Sequence, residues 1–357
     1  MKTLPKDLKA LERKSSVKAK MNAKSKYKEK IVTFGGKTGH FQLLNGLKKF
    51  NDTSLITAVV GTWDSGGSSG ILRSELGILP PGDIRACLLA LMEDDAQQKV
   101  AQRLFDDRLR EMVGPLKGHS MGNLLGVRLD HIFHGQDRGT DAERTLFRIK
   151  AQVLPATLTD LNLVGMTKRG IEINGEAKID SRKKDPNFKP RDRIARIYFS
   201  THADTNPRVI KAIKSADKIV FAPGDLFTSV LPHLLIDGVA EAILKSKAKV
   251  YFVLNLIEKE GETDYFKASD FLKAFNFYLG DSKRLNFLVA NNAKFDQEIV
   301  KVYEGEKKKA VSLDEVACIK ETPKLKIIKA NLGEYLKKDH LLRHNSQNLA
   351  LAILRGN

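Results

Sequence analysis

The chain has 357 residues, a formal net charge of +18 and two cysteines, Cys87 and Cys318, far apart and outside any C-x-x-C pair. That usage excludes a disulfide framework and a zinc ribbon and fits a reducing cytosol, so a cytoplasmic protein is expected. No apolar run reaches the ~18 residues of a membrane-spanning helix, and no apolar segment follows the basic start, so neither a membrane protein nor a secretory signal is expected.

With 42% hydrophobic residues there is material for a real core, in one large α/β domain or two smaller ones. The charge is uneven. Residues 1–30 hold eleven Lys/Arg against Asp7, Glu12 and Glu29, a net +8 of the total +18. Residues 1–29 read as a basic, disordered leader. Clustered cations gain by counterion release, so nucleic acid or an anionic membrane could engage it; a solvated, frayed tail is the plainer reading.

Structure proper is expected from Lys30. Ile31-Val32-Thr33-Phe34 is apolar and β-branched and stops at Gly35-Gly36, which predicts a buried parallel strand. Phe41, Leu43, Leu44 and Leu47, followed by Lys48 and Lys49, predict an amphipathic helix. A second strand follows over Leu55–Val60 and ends in Gly61-Thr62-Trp63-Asp64. Strand, turn, helix, strand is a βαβ unit, so a parallel sheet with right-handed crossovers is expected. Helices are predicted over Asp83–Met92 and Gly122–Phe133. Between about 161 and 200, short alternating segments flank Gly170 and Gly175, which predicts a small β-rich insertion. Further strands are predicted at Lys218–Ala222, Lys249–Leu254 and Asn286–Ala290. Strand after strand ends in Gly, Asn or Asp, and open parallel sheets bind ligands beyond those ends.

Four loops carry candidate chemistry. Gly35-Gly36-Lys37-Thr38-Gly39-His40 joins the first strand to the first helix. Glycines there would let the backbone approach a phosphate, and the helix N-terminus supplies unpaired N–H groups; a tight turn is the alternative. Asp64-Ser65-Gly66-Gly67-Ser68-Ser69-Gly70 offers backbone and hydroxyl donors for an anion. Asp64 stands where a carboxylate would bind a ribose hydroxyl or Mg²⁺. Leu79-Pro80-Pro81-Gly82-Asp83-Ile84-Arg85 predicts a rigid turn, with Asp83 capping the next helix or reaching into the site. His119-Ser120-Met121-Gly122-Asn123 opens another helix. A histidine there could act as acid, base or phosphate donor, but no Ser-His-Asp or Cys-His set accompanies His119, and no residue is assigned a catalytic role.

Taken in order, these loops resemble the motifs of the YvcK/CofD family. That family joins gluconeogenesis-factor proteins to the 2-phospho-L-lactate transferase of deazaflavin coenzyme synthesis. The resemblance continues through Val153-Leu154-Pro155-Ala156-Thr157, Ala222-Pro223-Gly224-Asp225-Leu226-Phe227-Thr228-Ser229-Val230, Asn255-Leu256, Gly261-Glu262-Thr263-Asp264 and Leu342-Arg343-His344, and covers about residues 30–355. It implies a single CofD-like domain over 30–357, Rossmann-like, with helices on both faces of a parallel sheet.

The resemblance also implies a ligand. YvcK-like proteins bind UDP-sugars, notably UDP-N-acetylglucosamine, and act in central carbon metabolism or the supply of cell-envelope precursors. Carried over, nucleotide binding falls to Gly35, Gly36, Lys37, Thr38, Gly39, Gly66, Gly67, Ser68, Ser69, His119, Asn123 and Asn255. Tyr303 and Arg343 fit the family's C-terminal Tyr and Arg. In the CofD-like enzymes two aspartates hold Mg²⁺, and Asp64 and Asp83 match them. The second implied function is therefore a Mg²⁺-dependent transferase moving a phospholactyl-type group from a nucleotide donor to a deazaflavin hydroxyl. Whether the chain is an enzyme stays open, and a homodimer is compatible with the reading. A dehydrogenase is disfavoured because the glycine spacing differs from G-x-G-x-x-G. Two departures bear on chemistry: Lys37 stands where the family has a third glycine, and Asp64-Ser65 where it has an Asp pair. Lys37 could add a point charge or fill phosphate space, and its Cβ disfavours positive φ.

Overall fold

The structure, a computed structural model, describes residues 27–189, 192–295, 297–305, 308–336 and 341–356. The basic leader up to residue 26 lies outside the described residues. Its last residues pack on the domain: Tyr27 bridges to Asn51, and Glu29 pairs with Lys218 at 3.0 Å.

The chain opens with β1 (Ile31–Gly35), α1 (Lys37–Phe50), β2 (Ile56–Val60), α2 (Gly67–Leu76), α3 (Gly82–Leu91), α4 (Asp95–Asp106), α5 (Met121–Ile132), α6 (Gln136–Leu146) and β3 (Gln152–Pro155). A small antiparallel sheet follows: β4 (Leu163–Thr167), β5 (Glu172–Asn174), the short helix α7 (Glu176–Asp180) and β6 (Ile194–Phe199), in the order β5-β4-β6. The main sheet resumes with α8 (Pro207–Ser215), β7 (Lys218–Phe221), α9 (Val239–Lys245), β8 (Lys249–Val253), α10 (Ala268–Leu279), β9 (Phe287–Asn291), α11 (Gln297–Gly305), α12 (Glu315–Glu321) and β10 (Lys326–Ala330). A hairpin, β11 (Gly333–Leu336) and β12 (Leu341–His344), leads into α13 (Ser346–Arg355).

Seven strands form one parallel sheet in the order β10-β9-β8-β7-β1-β2-β3. The expected α/β architecture, a Rossmann-like sheet with helices on both faces, is what the chain adopts. Strand residues alternate between two cores. Val32, Phe34, Val59, Phe221 and Phe252 pack on one face with Val209 and Ile213 of α8 and Phe271 and Phe275 of α10. Ile31, Ile56, Val60, Val220 and Val289 pack on the other with Leu43 and Leu47 of α1, Leu88 of α3 and Ile353 of α13. Among the described residues no single helix is long and apolar enough to cross a membrane.

Two loops are shorter than the sequence suggests. Helix α1 begins at Lys37 and α2 at Gly67, so Lys37–His40 and Gly67–Gly70 are first helical turns. Glycine-rich composition reads as loop, yet here it lets each helix start immediately at the sheet edge.

Candidate functional site

The chain runs outward from β1 through β2 to β3, then returns to place β7 on the opposite side of β1. The topological switch therefore lies between β1 and β7, where open parallel sheets bind ligands. Helix α1 starts there. Gly36 is its N-cap without a side-chain bond, and no acidic residue of its own stands in the first turn. Gly39 allows a close approach to the β7 loop: a Cβ on it would lie 1.7 Å from the Pro223 carbonyl oxygen. A cleft of about 240 Å³ opens between them, lined by Gly36–Gly39, Gln42, Pro223–Asp225, Asn255 and Arg343. Asn255 donates to the Gly224 carbonyl at 2.8 Å and so fixes the β7 loop. Beneath Arg343, the buried His344 ring bonds the Leu254 carbonyl at 3.2 Å, and burial pushes its pKa down to about 4, leaving it neutral.

Lys37 and Thr38 also line a second chamber of about 450 Å³ on the β2 side, with Asp64, Gly66–Ser69, Asp83, Arg85 and Asn123. Asn123 donates to the Ser68 and Ser69 hydroxyls at 3.2 and 3.3 Å, and its carboxamide oxygen, buried, has no partner. His119 shares a 2.9 Å hydrogen bond with Ser68 and stands behind it, outside both linings. Arg85 is held by the Phe105 carbonyl and Ser120.

The structure thus gathers most expected site residues at one sheet edge. Gly35 lies just below, lining a narrow space between the two chambers. Tyr303 stands apart. It is 9% exposed, and its hydroxyl accepts the Leu342 N–H at 2.6 Å, so it supports β12 from inside instead of lining the cleft.

The acidic residues are wired differently from the simplest expectation. Pro81, not Asp83, occupies the N-cap of α3. The Asp83 carboxylate instead lies against the start of the neighbouring helix α1: a Cβ on Gly36 would be 2.5 Å from its Oδ2, and the Lys37 backbone N–H favours its charged form. Asp64 accepts the Gly66 N–H at 3.0 Å. Burial pushes Asp83 up to about 6, and burial with the Asp83 charge raises Asp64.

Lys37 answers these carboxylates. Its φ is 53°, in the left-handed region that its side chain disfavours, and its Nζ lies 2.5 Å from Glu176 and 3.6 Å from Asp180 of α7. Burial works against the ammonium, but Glu176, Asp180 and Asp225 outweigh it and raise its pKa. Glu176 itself is pushed by burial up to about 7, against the pull of Lys37. Next to this pair, the Lys259 ammonium binds Asp180, Asp225 at 2.7 Å and Glu262 at 2.8 Å. Sequence reasoning did not single out Glu176, Asp180 or Lys259. Asp225 and Glu262 stood only inside motifs of the resemblance.

Among the described residues, two carboxylate-containing trios bring ligand atoms within 4.8 Å of one another, His202-Asp204-Asp237 and Asp180-Asp225-Glu262. Neither contains Asp64 or Asp83. The first is exposed, and Lys259 fills the second. The space between Asp64, Asp83 and Glu176 is about 10 Å³, about the size of one water. Asp64 and Asp83 also border the chamber of about 450 Å³, where a Mg²⁺ ion, which keeps several waters in an octahedral shell, has the room that this narrow space lacks.

Residues 31–333 match the family model described as 2-phospho-L-lactate transferase CofD. The gluconeogenesis factor of Halalkalibacterium halodurans is 38% identical over 334 residues, covering 92% of this chain and 97% of that protein. That of Bacillus subtilis is 33% identical over 330 residues, covering 92% and 98%. A crystal structure of a protein from Bacillus halodurans superposes with a TM-score of 0.83 at 34% identity, covering 92% of this chain and 99% of that one. The chain belongs to the gluconeogenesis-factor (YvcK) family of CofD-domain proteins.

Proposed function

We propose that the protein binds a nucleotide-sugar of the UDP-N-acetylglucosamine type in the cytoplasm and thereby regulates central carbon metabolism or cell-envelope precursor supply. The observation that carries this is the cleft at the β1/β7 switch. It combines the open N-terminus of α1, the backbone of Pro223–Gly224, a fixed Asn255 and the Arg343 side chain. A diphosphate would sit on the N–H groups of Thr38 and Gly39, where the helix dipole favours an anion. Arg343 would clamp a phosphate or a sugar hydroxyl from the rim. The Gln42 and Asn255 carboxamides offer polar edges for the base or sugar. Calorimetric titration with UDP-N-acetylglucosamine is expected to show saturable binding; absence of heat with it and with UDP would refute the reading.

A second reading, a phospholactyl-type transferase, is favoured by the chamber that adjoins the cleft through Lys37 and Thr38. An acceptor hydroxyl in that chamber would find Asp83, whose pKa near 6 suits a general base. Incubation with a deazaflavin acceptor and nucleotide-activated phospholactate, followed by mass spectrometry, tests it. Absence of product closes that route.

A further inference from the structure

The pyrophosphate of a nucleotide carries charge that a binding site commonly offsets with a divalent cation. In this chain the position between the glycine turn and the carboxylates already holds a covalently attached cation. Lys37 lines the switch-point cleft, the second chamber and the narrow space between them. Its charge acts on Asp64, Asp83 and Glu176 together. Three carboxylates lie around it, and all are largely buried, so keeping them charged requires a nearby cation.

Two further observations favour the lysine over a metal. One oxygen of Asp64 is committed to the Gly66 N–H, and Asp83 already faces the start of α1 at Gly36 and Lys37. The backbone also bears a cost to put the lysine there. A non-glycine residue at φ 53° is less favourable than glycine, and the surrounding ion pairs hold it in place.

We propose that the Lys37 ammonium supplies the positive charge that a divalent cation would otherwise supply, so that this protein binds a pyrophosphate-bearing ligand without metal. This rests on the phosphate-binding reading of the cleft, but not on the identity of the base or sugar. The Glu176 and Asp180 contacts store the ammonium beside the cleft until an anionic ligand draws on it. Phosphate oxygens then take up part of its hydrogen bonding, while Glu176 keeps a shared contact.

Calorimetry of the full chain tests this with two probes, UDP-N-acetylglucosamine and inorganic pyrophosphate, each in EDTA and in millimolar MgCl₂. The wild type is expected to bind pyrophosphate in EDTA within about threefold of its affinity with Mg²⁺. Lys37→Gly is expected to lose at least tenfold in EDTA and to regain much of that with Mg²⁺, because Asp64, Asp83 and Glu176 then lack their counter-charge. The Lys37→Gly/Glu176→Gln double variant guards against misfolding: it removes the stranded buried carboxylate while keeping Asp64 and Asp83. Wild-type binding that requires Mg²⁺, or Lys37→Gly binding unchanged in EDTA, overturns the proposal. Pyrophosphate binding without any UDP-sugar binding refutes the nucleotide-sugar reading and leaves this inference supported. No binding of either probe under any condition overturns both.

Discussion

Gly39 and the carbonyl of Pro223 approach so closely that no side chain fits between them: a Cβ would sit 1.7 Å from the oxygen. The contact is backbone on backbone, so it cannot be relieved by a rotamer change. It sets the width of the cleft at the sheet's switch point. Gly39→Ala should therefore force α1 away from the β7 loop, destabilising the fold by roughly 1–3 kcal/mol and weakening nucleotide binding at least tenfold. Gly46 provides the control on the same helix, since its Cβ would lie 1.8 Å from the Ser346 carbonyl oxygen at the start of α13. Gly46→Ala should cost similar stability in urea unfolding yet leave affinity of the folded fraction near wild type. Equal losses of affinity in both variants would sink the idea.

Asp130 and Glu143 give the fold a pH dependence. Burial pushes Asp130 up to about 7 and Glu143 up to about 8, the latter aided by the Asp130 charge and opposed by Arg85. A carboxyl raised in the folded state holds its proton longer there than in the unfolded chain. Between about pH 4.5, the unfolded value, and pH 8 the native state thus binds more protons, and stability falls as pH rises. Glu143→Gln removes the cost of charging this site, on the order of a few kcal/mol at pH 8. The gap between the melting temperatures at pH 5 and pH 8 should be smaller in the variant than in the wild type, with Asp130 keeping part of it. Parallel curves would refute the assignment.

Ile31–Phe34 and Lys249–Leu254 announce buried parallel strands because both faces are covered and the apolar run is nearly continuous. The glycine turns announce the sheet edge because only a short list of residues permits such turns. Glu176 had no comparable signal: it meets Lys37 across 139 residues of chain, in a five-residue helix within the small sheet. Lys259 meets Asp180 across 79 residues. Their meaning is created by tertiary contact, which no local pattern records. Tyr303 is the reverse case, a motif-like residue whose hydroxyl is taken up by the backbone of β12.

Lys259 pairs with Glu262, whose side chain is 1% exposed, and also binds Asp180 and Asp225. Lys259→Ala strands the buried Glu262 and leaves the half-buried Asp180 and Asp225 with Lys37, 3.6 Å from Asp180, as counter-charge. A loss of roughly 3–5 kcal/mol is expected at pH 7, shrinking as the pH is lowered and the carboxyls take up protons. The three carboxylates have oxygens within 4.8 Å of one another, so the emptied position should attract a hard cation. Thermal unfolding of Lys259→Ala should therefore be raised by millimolar CaCl₂ while the wild type is unmoved. A variant as stable as wild type, or insensitive to Ca²⁺, would contradict this.

Arg343 and Tyr303 separate direct from indirect support of the cleft. Arg343 lines it from β12, opposite Glu334 in the hairpin register, and its loss exposes no buried partner. Arg343→Ala should change stability by less than about 0.5 kcal/mol but lower the affinity for a nucleotide-sugar about tenfold or more, as expected for a charge-assisted contact worth roughly 1.5–3 kcal/mol. Tyr303→Phe removes the acceptor of the Leu342 N–H and leaves that group buried without a partner, costing roughly 1–3 kcal/mol of stability. Its effect on binding should be smaller, because Arg343 keeps its charge and only the strand beneath it loosens. A double variant distinguishes the two roles. If Tyr303 touched the ligand independently, the affinity losses of the two changes would add; if it acts through β12, Tyr303→Phe should cost almost no further affinity once Arg343 is alanine.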